Sequence, residues 1–274
     1  MASVVGLLHP GEMGATLGSV LRGAGHTVLW ASSERSPATA RRAGAAGLED
    51  ARTIPELARR SEVILSVCPP HAAEDLARAV SGFLGVFVDA NAVSPATTRA
   101  VGDVVEAGGA RFVDGGIVGS PPAAPGLTRL YLSGVEAPAV AGLFDGTLVD
   151  ARVLSDEVGA ASAMKLVYAA WTKGTAALLL AIGATARANG VESALEAEWR
   201  ESLPTLPDRS VAAARSAGAK GWRWSFEMEE IAATFAAAGL PDGFHRAAAE
   251  VFRRSPRIDG ATLDEVLAAL SAES

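Results

Sequence analysis

The sequence has few residues of the kinds that build disulfide frameworks, metal sites or nucleic-acid interfaces. Cys68 is its only cysteine, which excludes an internal disulfide and fits a reducing cytosol. Its four histidines show no metal-ligand spacing such as H-E-x-x-H, so no metal site is expected. The formal charge of −7 and the lack of a Lys/Arg run argue against a nucleic-acid partner.

Long apolar runs and targeting signals are also scarce. The apolar stretch near the N-terminus is short and lacks a preceding basic region, so it does not resemble a signal peptide. The most apolar helical stretch, 174–186, lies between Lys173 and Arg187 and is expected to be too short to span a bilayer. We therefore expect a soluble, cytoplasmic protein without a membrane partner, whose 274 residues suit two domains.

The chain opens with a predicted strand, a glycine turn and a helix. Residues 3–8 are almost all apolar, and apolar residues at helical spacing follow over 12–24. The turn keeps Gly11 and Gly14, the last two glycines of a G-x-G-x-x-G fingerprint, but has His9 in place of the first. In that fingerprint the middle glycine lets a pyrophosphate approach the backbone, and the helix N-terminus offers N–H groups to the anion. A tight turn without a ligand is the alternative interpretation.

Strand and helix patterns alternate through the first half of the chain. Further strands are expected over 27–31, 63–68, 86–89, 111–114 and 129–132, and helices are expected to begin at Ser36, Thr53 and Ser94. This alternation predicts an α/β, Rossmann-like, doubly wound parallel sheet. Ligands of such sheets bind beyond the carboxyl ends of the strands, where we find Gly11, Ser32, Pro69, Asn91 and Gly119. This shared placement favours nucleotide binding over a turn without a ligand.

The end of the second strand bears on which nucleotide is bound. NAD-binding domains carry an acid there, about 20 residues beyond the glycines. Here Ser32, Ser33 and Arg35 stand at this point, and two hydroxyls with a guanidinium suit a 2′-phosphate. Arg41 is expected as a second phosphate partner and Arg42 on a solvated helix face. A small shift in the turn would instead aim the neighbouring acid, Glu34, at a ribose. NADP(H) is therefore favoured over NAD(H).

The second half of the chain reads as helical. A long helix is expected over 156–189, capped by Asp156 and stopped at Asn189-Gly190. Shorter helices are expected from residues 194 and 209, and over 226–238, 242–253 and 262–270. The predicted domains are an NAD(P)-binding domain over 1–155 and an all-helical substrate and dimerisation domain over 156–274. Because the long helix is so apolar, it needs burial on several sides, which suggests a homodimer through the helical domain.

One face of the long helix carries polar side chains suited to proton transfer. Lys165, Tyr168 and Thr172 lie at i, i+3 and i+7 and therefore share a face. A lysine on an apolar, alanine-rich helix costs burial free energy unless it has a role or a partner. Lysine amines serve as general acids and bases, whereas the alternative is an amine that reaches water while its stem covers apolar surface.

Several segments resemble those of the β-hydroxyacid dehydrogenases, which include 3-hydroxyisobutyrate and 6-phosphogluconate dehydrogenases and are distantly related to imine reductases. VVGLLHPGEMG resembles the family's first strand and glycine turn, and VFVDANAVSP stands in place of its Asp-x-Ser-Thr segment. FVDGGIVGSPP stands in place of Asp-Ala-Pro-Val-Ser-Gly-Gly, a substrate-binding loop. GAASAMKLVY resembles the helix that carries the family's catalytic lysine. The resemblance covers nearly the whole chain and implies a Rossmann domain, a helical domain, a dimer with its site between domains, and Lys165 as general acid/base.

Two departures from that family bear on the substrate. Tyr168 stands where the family has an asparagine, and a tyrosine can itself donate or relay a proton. Glu229 and Glu230 stand where hydroxyacid enzymes have a Lys-Asp pair, so a position that favours an anionic substrate becomes acidic. This change would suit an amine or an iminium ion. The tryptophans of GWRW, residues 221–224, either line the substrate pocket or pack between helices.

Together these patterns predict an NADP-dependent oxidoreductase that transfers hydride between nicotinamide and a small hydroxy or carbonyl compound. The alternatives are an imine reductase acting on a cationic substrate and a non-catalytic NADPH-binding module. Lys165 and Tyr168 are expected to be catalytic. The residues expected to bind the cofactor are His9, Pro10, Gly11, Glu12, Met13, Ser32, Ser33, Arg35, Cys68, Pro69, Pro70 and Asn91. Those expected to bind the substrate are Val118, Gly119, Ser120, Thr172 and Glu229.

Overall fold

The computed structural model describes residues 2–271, in which strands alternate with helices up to residue 155. The strands are β1 Val4–Leu8, β2 Thr27–Trp30, β3 Glu49–Asp50, β4 Val63–Ser66, β5 Val86–Asp89, β6 Arg111–Gly119, β7 Thr128–Ser133 and β8 Val149–Ser155. The helices of this part are α1 Glu12–Gly23, α2 Pro37–Ala45, α3 Ile54–Arg60, α4 Ala73–Ala79, α5 Pro95–Ala107 and α6 Ala137–Gly142. The remaining helices are α7 Ala160–Ala188, α8 Glu192–Ser202, α9 Leu206–Ala237, α10 Gly243–Arg254 and α11 Leu263–Ser271.

The strands form one mostly parallel sheet in the order β3-β2-β1-β4-β5-β6-β7-β8. The first six strands have the 3-2-1-4-5-6 order of dinucleotide-binding folds, which confirms the predicted doubly wound sheet. The chain order reverses between β1 and β4, the point at which such sheets bind ligands. β6 and β7 pair antiparallel, so the far edge of the sheet departs from the fully parallel expectation.

Strand pairing places four polar residues side by side on four neighbouring strands. They lie at the carboxyl ends of β4 and β5, within β6 and at the end of β7. Ser66 pairs with Asp89, Asp89 with Asp114, and Asp114 with Ser133. Each of these side chains is 1% exposed or less. We call these four residues the polar row. Buried polar groups are costly unless they are hydrogen-bonded, so their partners are informative about the site.

Alternating residues of the strands supply the core on both faces of the sheet. Leu7 belongs to one apolar cluster and Leu8 to the other, as the two-residue period of a strand requires. Gly14 brings α1 close to β1, because a Cβ there would lie 2.8 Å from the carbonyl oxygen of His9. The last glycine of the fingerprint therefore serves helix packing.

Three helix starts follow directly from local sequence. The hydroxyls of Ser36, Thr53 and Ser94 accept hydrogen bonds from the backbone N–H three residues later. A proline follows within two residues in each case, where its missing N–H costs nothing. These three predicted starts are confirmed.

Two strands were not predicted, and β6 is longer than expected. β3 has two exposed residues, and most residues of β8 are exposed or half-exposed because it forms the sheet edge. Short or exposed edge strands lack the continuous apolar run that marks a buried strand. β6 continues from the predicted end at Asp114 to Gly119, and its extension pairs with β7.

The long helices differ from the prediction at their ends and interruptions. α7 begins at Ala160, so Asp156 is not its cap, whereas Gly190 has the positive φ of 68° that ends the helix as predicted. α9 is one helix where two were expected. Gly218 lies within α9 because a Cβ there would lie 2.5 Å from both the Ile258 carbonyl oxygen and the Ala261 side chain. This glycine permits close packing and does not break the helix.

The chain divides into two compact units, and the division falls between Lys165 and Leu166 inside α7. The sequence predicts a domain boundary ten residues earlier, at 155. Residues 156–165 belong to the first unit because the start of α7 is hydrogen-bonded to the sheet. By length and composition, α7 is long and apolar enough to cross a membrane, although the core helices of soluble proteins meet the same criterion. The expectation that the most apolar helix is too short to span a bilayer is therefore wrong.

Candidate functional site

The glycine turn presents the N-terminus of α1 beyond the end of β1. Gly11 is the N-cap residue, and no side chain in the described part of the chain caps this helix end. The backbone N–H groups of Glu12 and Met13 therefore remain placed for an anion, as in other phosphate-binding helices. A Cβ on Gly11 would meet the His9 ring at 3.5 Å, so the ring lies beside the backbone that a pyrophosphate approaches. This arrangement fits a dinucleotide.

His9 replaces the first glycine of the fingerprint with a left-handed backbone. Its φ is 66°, a conformation that glycine adopts more easily. Nη1 of Arg35 lies 3.0 Å from its Nδ1. Because a guanidinium only donates, Nδ1 accepts and Nε2 carries the proton of the neutral ring. Burial lowers the pKa of His9, and the charges of Arg35 and Arg42 lower it further.

Two arginines approach the turn from the β2–α2 region. Arg35 reaches His9, and Arg42 donates from Nε to the Pro10 carbonyl oxygen at 3.4 Å and from Nη2 to Thr39 at 3.2 Å. Arg42 is exposed, as expected for a solvated helix face, and its guanidinium also reaches the glycine turn. Helical spacing alone did not reveal this contact, because Pro10 is 32 residues away in sequence.

The predicted hydroxyl and acid positions lie in the same loop after β2. Ser32 is half-buried and Ser33 exposed, and the Ser33 N–H donates to the Arg52 carbonyl oxygen at 2.8 Å. Glu34 is exposed, with φ of 61°. Arg41 is exposed as well. The loop thus offers hydroxyls beside the Arg35 guanidinium.

Asn91 joins the ends of β4 and β5. Its Oδ1 accepts a hydrogen bond from the Cys68 N–H at 2.5 Å, and its Nδ2 donates to Ser66 Oγ at 3.1 Å and to Asp89 Oδ1. The amide orientation is therefore fixed by partners on both sides. Pro69 and Pro70 continue from Cys68 into a short 3₁₀ turn and are half-buried. Asn91 holds the start of this loop against the sheet.

The protonation of the groups around Asn91 follows from their burial. Burial and, to a lesser degree, the charge of Asp114 raise the pKa of Asp89 to about 7. Asp89 Oδ2 is buried and has no hydrogen-bond partner in the described part of the chain. Burial first and Asp89 second raise the pKa of the Cys68 thiol to about 12, so this cysteine is not a nucleophile.

Asp114, which sequence reasoning did not select, caps α7 from a distance in sequence. Its Oδ2 accepts hydrogen bonds from the backbone N–H groups of Gly159 and Ser162 at 2.9 and 3.0 Å. Ser133 Oγ and Ser162 Oγ donate to the same carboxylate at 2.9 and 2.5 Å. The only signal in the sequence was its place at the start of the segment that resembles the substrate-binding loop.

Lys165 packs directly on β6. A Cβ on Gly116 would lie 2.6 Å from the Ala161 carbonyl oxygen and 2.9 Å from Lys165 Cβ, so only glycine permits this approach. Val118 is buried against Tyr131 and Ala161, so its side chain serves packing. Gly119, with φ of 111°, and exposed Ser120 follow at the end of β6.

In the helical unit, Tyr168 and Thr172 are exposed on α7. Thr172 lines a cleft of about 230 Å³ together with Trp224 and Arg209. Glu229 forms ion pairs with Arg253 at 2.5 Å and with Arg246 at 3.7 Å. Its charge is therefore already compensated within the helical unit. Its role toward a substrate remains a prediction.

A buried ion pair that the sequence did not indicate lies on the facing helices. Lys173 Nζ is 2.5 Å from Glu227 Oε2, and both side chains are nearly buried. The Trp224 ring centroid is 5.7 Å from the same ammonium, and Trp224 also packs edge-on against Phe252. One tryptophan of the GWRW segment therefore packs between helices. Within residues 2–271 no cluster of three or more His, Cys, Asp or Glu side chains is arranged to hold a metal ion.

Comparison with known families agrees with this geometry. Residues 3–141 match the family model described as the NAD binding domain of 6-phosphogluconate dehydrogenase. The chain belongs to this family. Residues 186–255 match a second family, described only as a domain of unknown function, DUF1932.

Individual relatives are similar in sequence over part of the chain and share its fold over nearly all of it. The mitochondrial 3-hydroxyisobutyrate dehydrogenase of Drosophila melanogaster is 30% identical over 138 residues, 48% of this chain and 42% of that protein. The Mycobacterium tuberculosis 3-hydroxyisobutyrate dehydrogenase, solved with L-serine, has a TM-score of 0.74 at 18% identity, over 99% of this chain and 100% of that one. A reductive aminase from Aspergillus terreus, solved with NADPH and ethyl levulinate, has a TM-score of 0.58 at 21% identity, over 98% and 99%.

The protein is accordingly an NAD(P)-dependent oxidoreductase of the family that includes 6-phosphogluconate dehydrogenase. This assignment sets aside the alternative of a non-catalytic nucleotide-binding module. The resemblance to β-hydroxyacid dehydrogenases that the sequence indicated is confirmed, as is the Rossmann-like fold followed by a helical region.

Proposed function

We propose that the protein uses NADP(H) to transfer hydride between nicotinamide and a small hydroxy or carbonyl compound, with Lys165 as the general acid/base. The observation that carries this proposal is the anchoring of Lys165. Its helix start is hydrogen-bonded to Asp114, the register neighbour of Asp89, which in turn holds Asn91. The helix start that carries the lysine and the loop after β4 are thus held by carboxylates on adjacent strands.

The preference for NADP(H) rests on the two arginines at the glycine turn. Arg35 and Arg42 bring two positive charges to His9 and Pro10, and Ser32 and Ser33 stand in the adjoining loop. Guanidinium groups bind phosphate by paired, charge-assisted hydrogen bonds. A 2′-phosphate would therefore be held more strongly than an unmodified ribose. The NADPH of the reductive aminase structure agrees with this choice.

Different residues of the chain would bind the cofactor, hold the substrate and transfer the proton. Bound nicotinamide supplies or accepts the hydride. The Glu12 and Met13 N–H groups would bind the pyrophosphate, and Asn91, which accepts from the Cys68 N–H, would hold the Cys68–Pro70 loop in place for the nicotinamide end of the cofactor. The Ser120 hydroxyl and the backbone of the Val118–Gly119 segment hold the substrate oxygen.

Lys165 would balance the charge that develops on the substrate. In the direction of reduction, its ammonium gives one proton to the carbonyl oxygen as the carbon receives hydride, so that an alcohol and a neutral amine result. A proton from water then restores the ammonium. In the direction of oxidation the neutral amine removes the hydroxyl proton. Tyr168 would relay protons on the same helix face.

Reduction of a C=N bond is the second candidate, and the likeness to a reductive aminase favours testing it. In this reaction Tyr168 would donate the proton, and an acidic residue of α9 would bind the positively charged substrate. The ion pairs of Glu229 with Arg253 and Arg246 leave this carboxylate less able to attract a cation. Carbonyl chemistry is therefore preferred here.

We also propose that the protein is a cytoplasmic homodimer that pairs through its helical unit. Val167, Trp171 and Leu178 lie close to one stripe of α7 and are 51%, 66% and 43% exposed. An apolar stripe of this kind is commonly covered by a partner. Light scattering of the wild type and of Trp171→Glu would test this, since the charge is expected to yield monomers.

Turnover of a matched pair of lysine variants tests the central proposal. NADPH oxidation would be followed with a panel of small aldehydes, ketones and keto acids, and with imines of matching shape. Lys165→Ala is expected to lower kcat by at least 100-fold while NADPH still quenches protein fluorescence with an unchanged Kd. Lys220→Ala, which removes an exposed lysine of α9, is the control. Full turnover by Lys165→Ala would refute the role of Lys165, and a preference for imines would favour the second candidate.

A further inference from the structure

The start of α7 is held by a side chain that lies 45 residues earlier in the sequence. Asp114 is fully buried, and four donors converge on its two carboxylate oxygens. Two of these donors are N–H groups at the beginning of α7, which have no partner inside the helix. A carboxylate at this end also interacts favourably with the helix dipole. Asp114 therefore acts as an N-cap that comes from the sheet.

A second contact ties the same turn to the same strand. Gly116, two residues after Asp114, lies against the Ala161 carbonyl oxygen and Lys165 Cβ. Strand β6 thus contacts α7 at its first turn and again at Lys165. If the first turn loosens or rotates, the Lys165 side chain must move with it, because the helix is continuous.

Three buried hydroxyls, those of Ser133, Ser162 and Thr98, add further hydrogen bonds around the first turn of α7. Ser133 Oγ donates to Asp114 and accepts the Ala161 N–H at 3.1 Å. Ser162 Oγ lies 2.7 Å from Thr98 Oγ1, which links the turn to α5. Buried networks with every member satisfied are rigid, whereas removing one partner leaves an unsatisfied group.

We propose that Asp114 is a positioning residue that sets the place of the Lys165 amine by capping α7 from β6. This inference rests on the proposed function, in which Lys165 exchanges the proton. Asp114 does not touch the reacting atoms in this account. It acts through Gly159 and Ser162, and Gly116 transmits the constraint along β6.

The neighbouring carboxyl agrees with this assignment. Asp89 stands beside Asp114 in the register, and burial first and the charge of Asp114 second raise the pKa of Asp89. Asp89 and Asp114 are therefore neighbours on the same buried end of the sheet.

Asp114→Asn is the first test, because it keeps the shape and replaces one acceptor oxygen by a donor NH₂ group. Hydrogen exchange of the amides over 159–165 is expected to quicken at least tenfold, while exchange in β1 and α1 stays unchanged. With the best substrate, kcat is expected to fall by about 10- to 100-fold, since small misplacements of a catalytic group have effects of this size. KM and Kd for NADPH should stay within twofold.

Ser162→Ala keeps the proposal falsifiable if the first variant does not fold. It removes the Oγ donor and leaves both backbone donors, so a smaller loss of kcat, about threefold, is expected together with faster exchange over 159–165. Ser210→Ala is the control and should leave both readouts unchanged, because among the described residues this buried hydroxyl bonds only to the Leu206 carbonyl oxygen of its own helix.

Two results would overturn the inference. One is unchanged exchange over 159–165 in Asp114→Asn, whatever the activity. The other is a parallel loss of kcat and NADPH binding in both variants, which would indicate a general structural role. Failure of the proposed function looks different, because Lys165→Ala would then keep its turnover while the exchange measurement still reports on the cap.

Discussion

The guanidinium of Arg35 donates to Nδ1 of His9 across 3.0 Å, although 26 residues separate them in sequence. This contact joins the residue that replaces the first fingerprint glycine to the residue expected to bind a 2′-phosphate. It also fixes the histidine tautomer, so that the Nε2–H remains as a donor beside Gly11. The unusual residue in the turn is therefore part of the charged side of the nucleotide site.

Replacing the arginines at the turn should reduce the preference for NADPH. Arg42→Ala is expected to raise KM for NADPH about tenfold, the equivalent of one lost charge-assisted hydrogen bond, with little change for NADH. Arg35→Ala should do the same and also release His9. The matched comparison is Arg41→Ala on the same exposed helix, which makes no hydrogen bond to the described residues. Its effect should be clearly smaller unless Arg41 is the second phosphate partner that the sequence predicts. Equal effects of Arg41→Ala and Arg42→Ala would contradict the contact with Pro10.

Asp89→Asn should change the pH dependence of stability in a defined direction. Because burial raises the pKa of Asp89 to about 7, the folded state holds this proton more tightly than the unfolded chain. The contribution of Asp89 is therefore fully present below its unfolded pKa and is lost as the pH rises through 7. Asparagine does not titrate and escapes this loss. The Tm of the variant minus the Tm of the wild type should therefore increase as the pH is raised from 4 to 8. A constant difference in Tm over this range would argue against the raised pKa.

Gly116→Ala should disturb Lys165 without preventing nucleotide binding. The added Cβ would overlap the Ala161 carbonyl oxygen and approach Lys165 Cβ, so the start of α7 must shift. We expect kcat to fall at least tenfold, and stability to fall by about 1–3 kcal/mol as in other overpacked sites. Gly44→Ala is the control, since a Cβ there meets no atom of the described residues within 4 Å. Wild-type kcat in Gly116→Ala would show that the packing does not position the lysine.

Breaking the ion pair between Lys173 and Glu227 should destabilise the helical unit strongly. Both side chains are nearly buried, so Glu227→Gln would leave a buried ammonium with less compensation and is expected to cost about 3–5 kcal/mol in urea unfolding. Arg253→Ala removes one of the two arginines paired with Glu229 on an exposed surface and should cost only about 0–1 kcal/mol. Similar losses of unfolding free energy in the two variants would show that burial does not make the Lys173–Glu227 pair more important for stability than an exposed pair.

The sequence by itself determined the features that depend on neighbouring residues. Ser36, Thr53 and Ser94 cap helices through bonds to the N–H three residues later, and Gly190 ends α7 through its own backbone. The order of apolar strands and helices fixed the doubly wound sheet, because each apolar strand requires cover on both faces. The resemblance of whole segments then led to the family.

Only the tertiary structure decided which distant residues meet. Asp156 stands where a local cap is expected, yet Asp114 caps α7, because strand register brings a buried carboxylate to the helix start. Arg42 reaches Pro10, α9 continues past Gly218 against Ile258 and Ala261, and Glu229 pairs with Arg253, each through residues distant in sequence. Contacts between residues tens of positions apart depend on how strands and helices pack, which a local pattern does not encode.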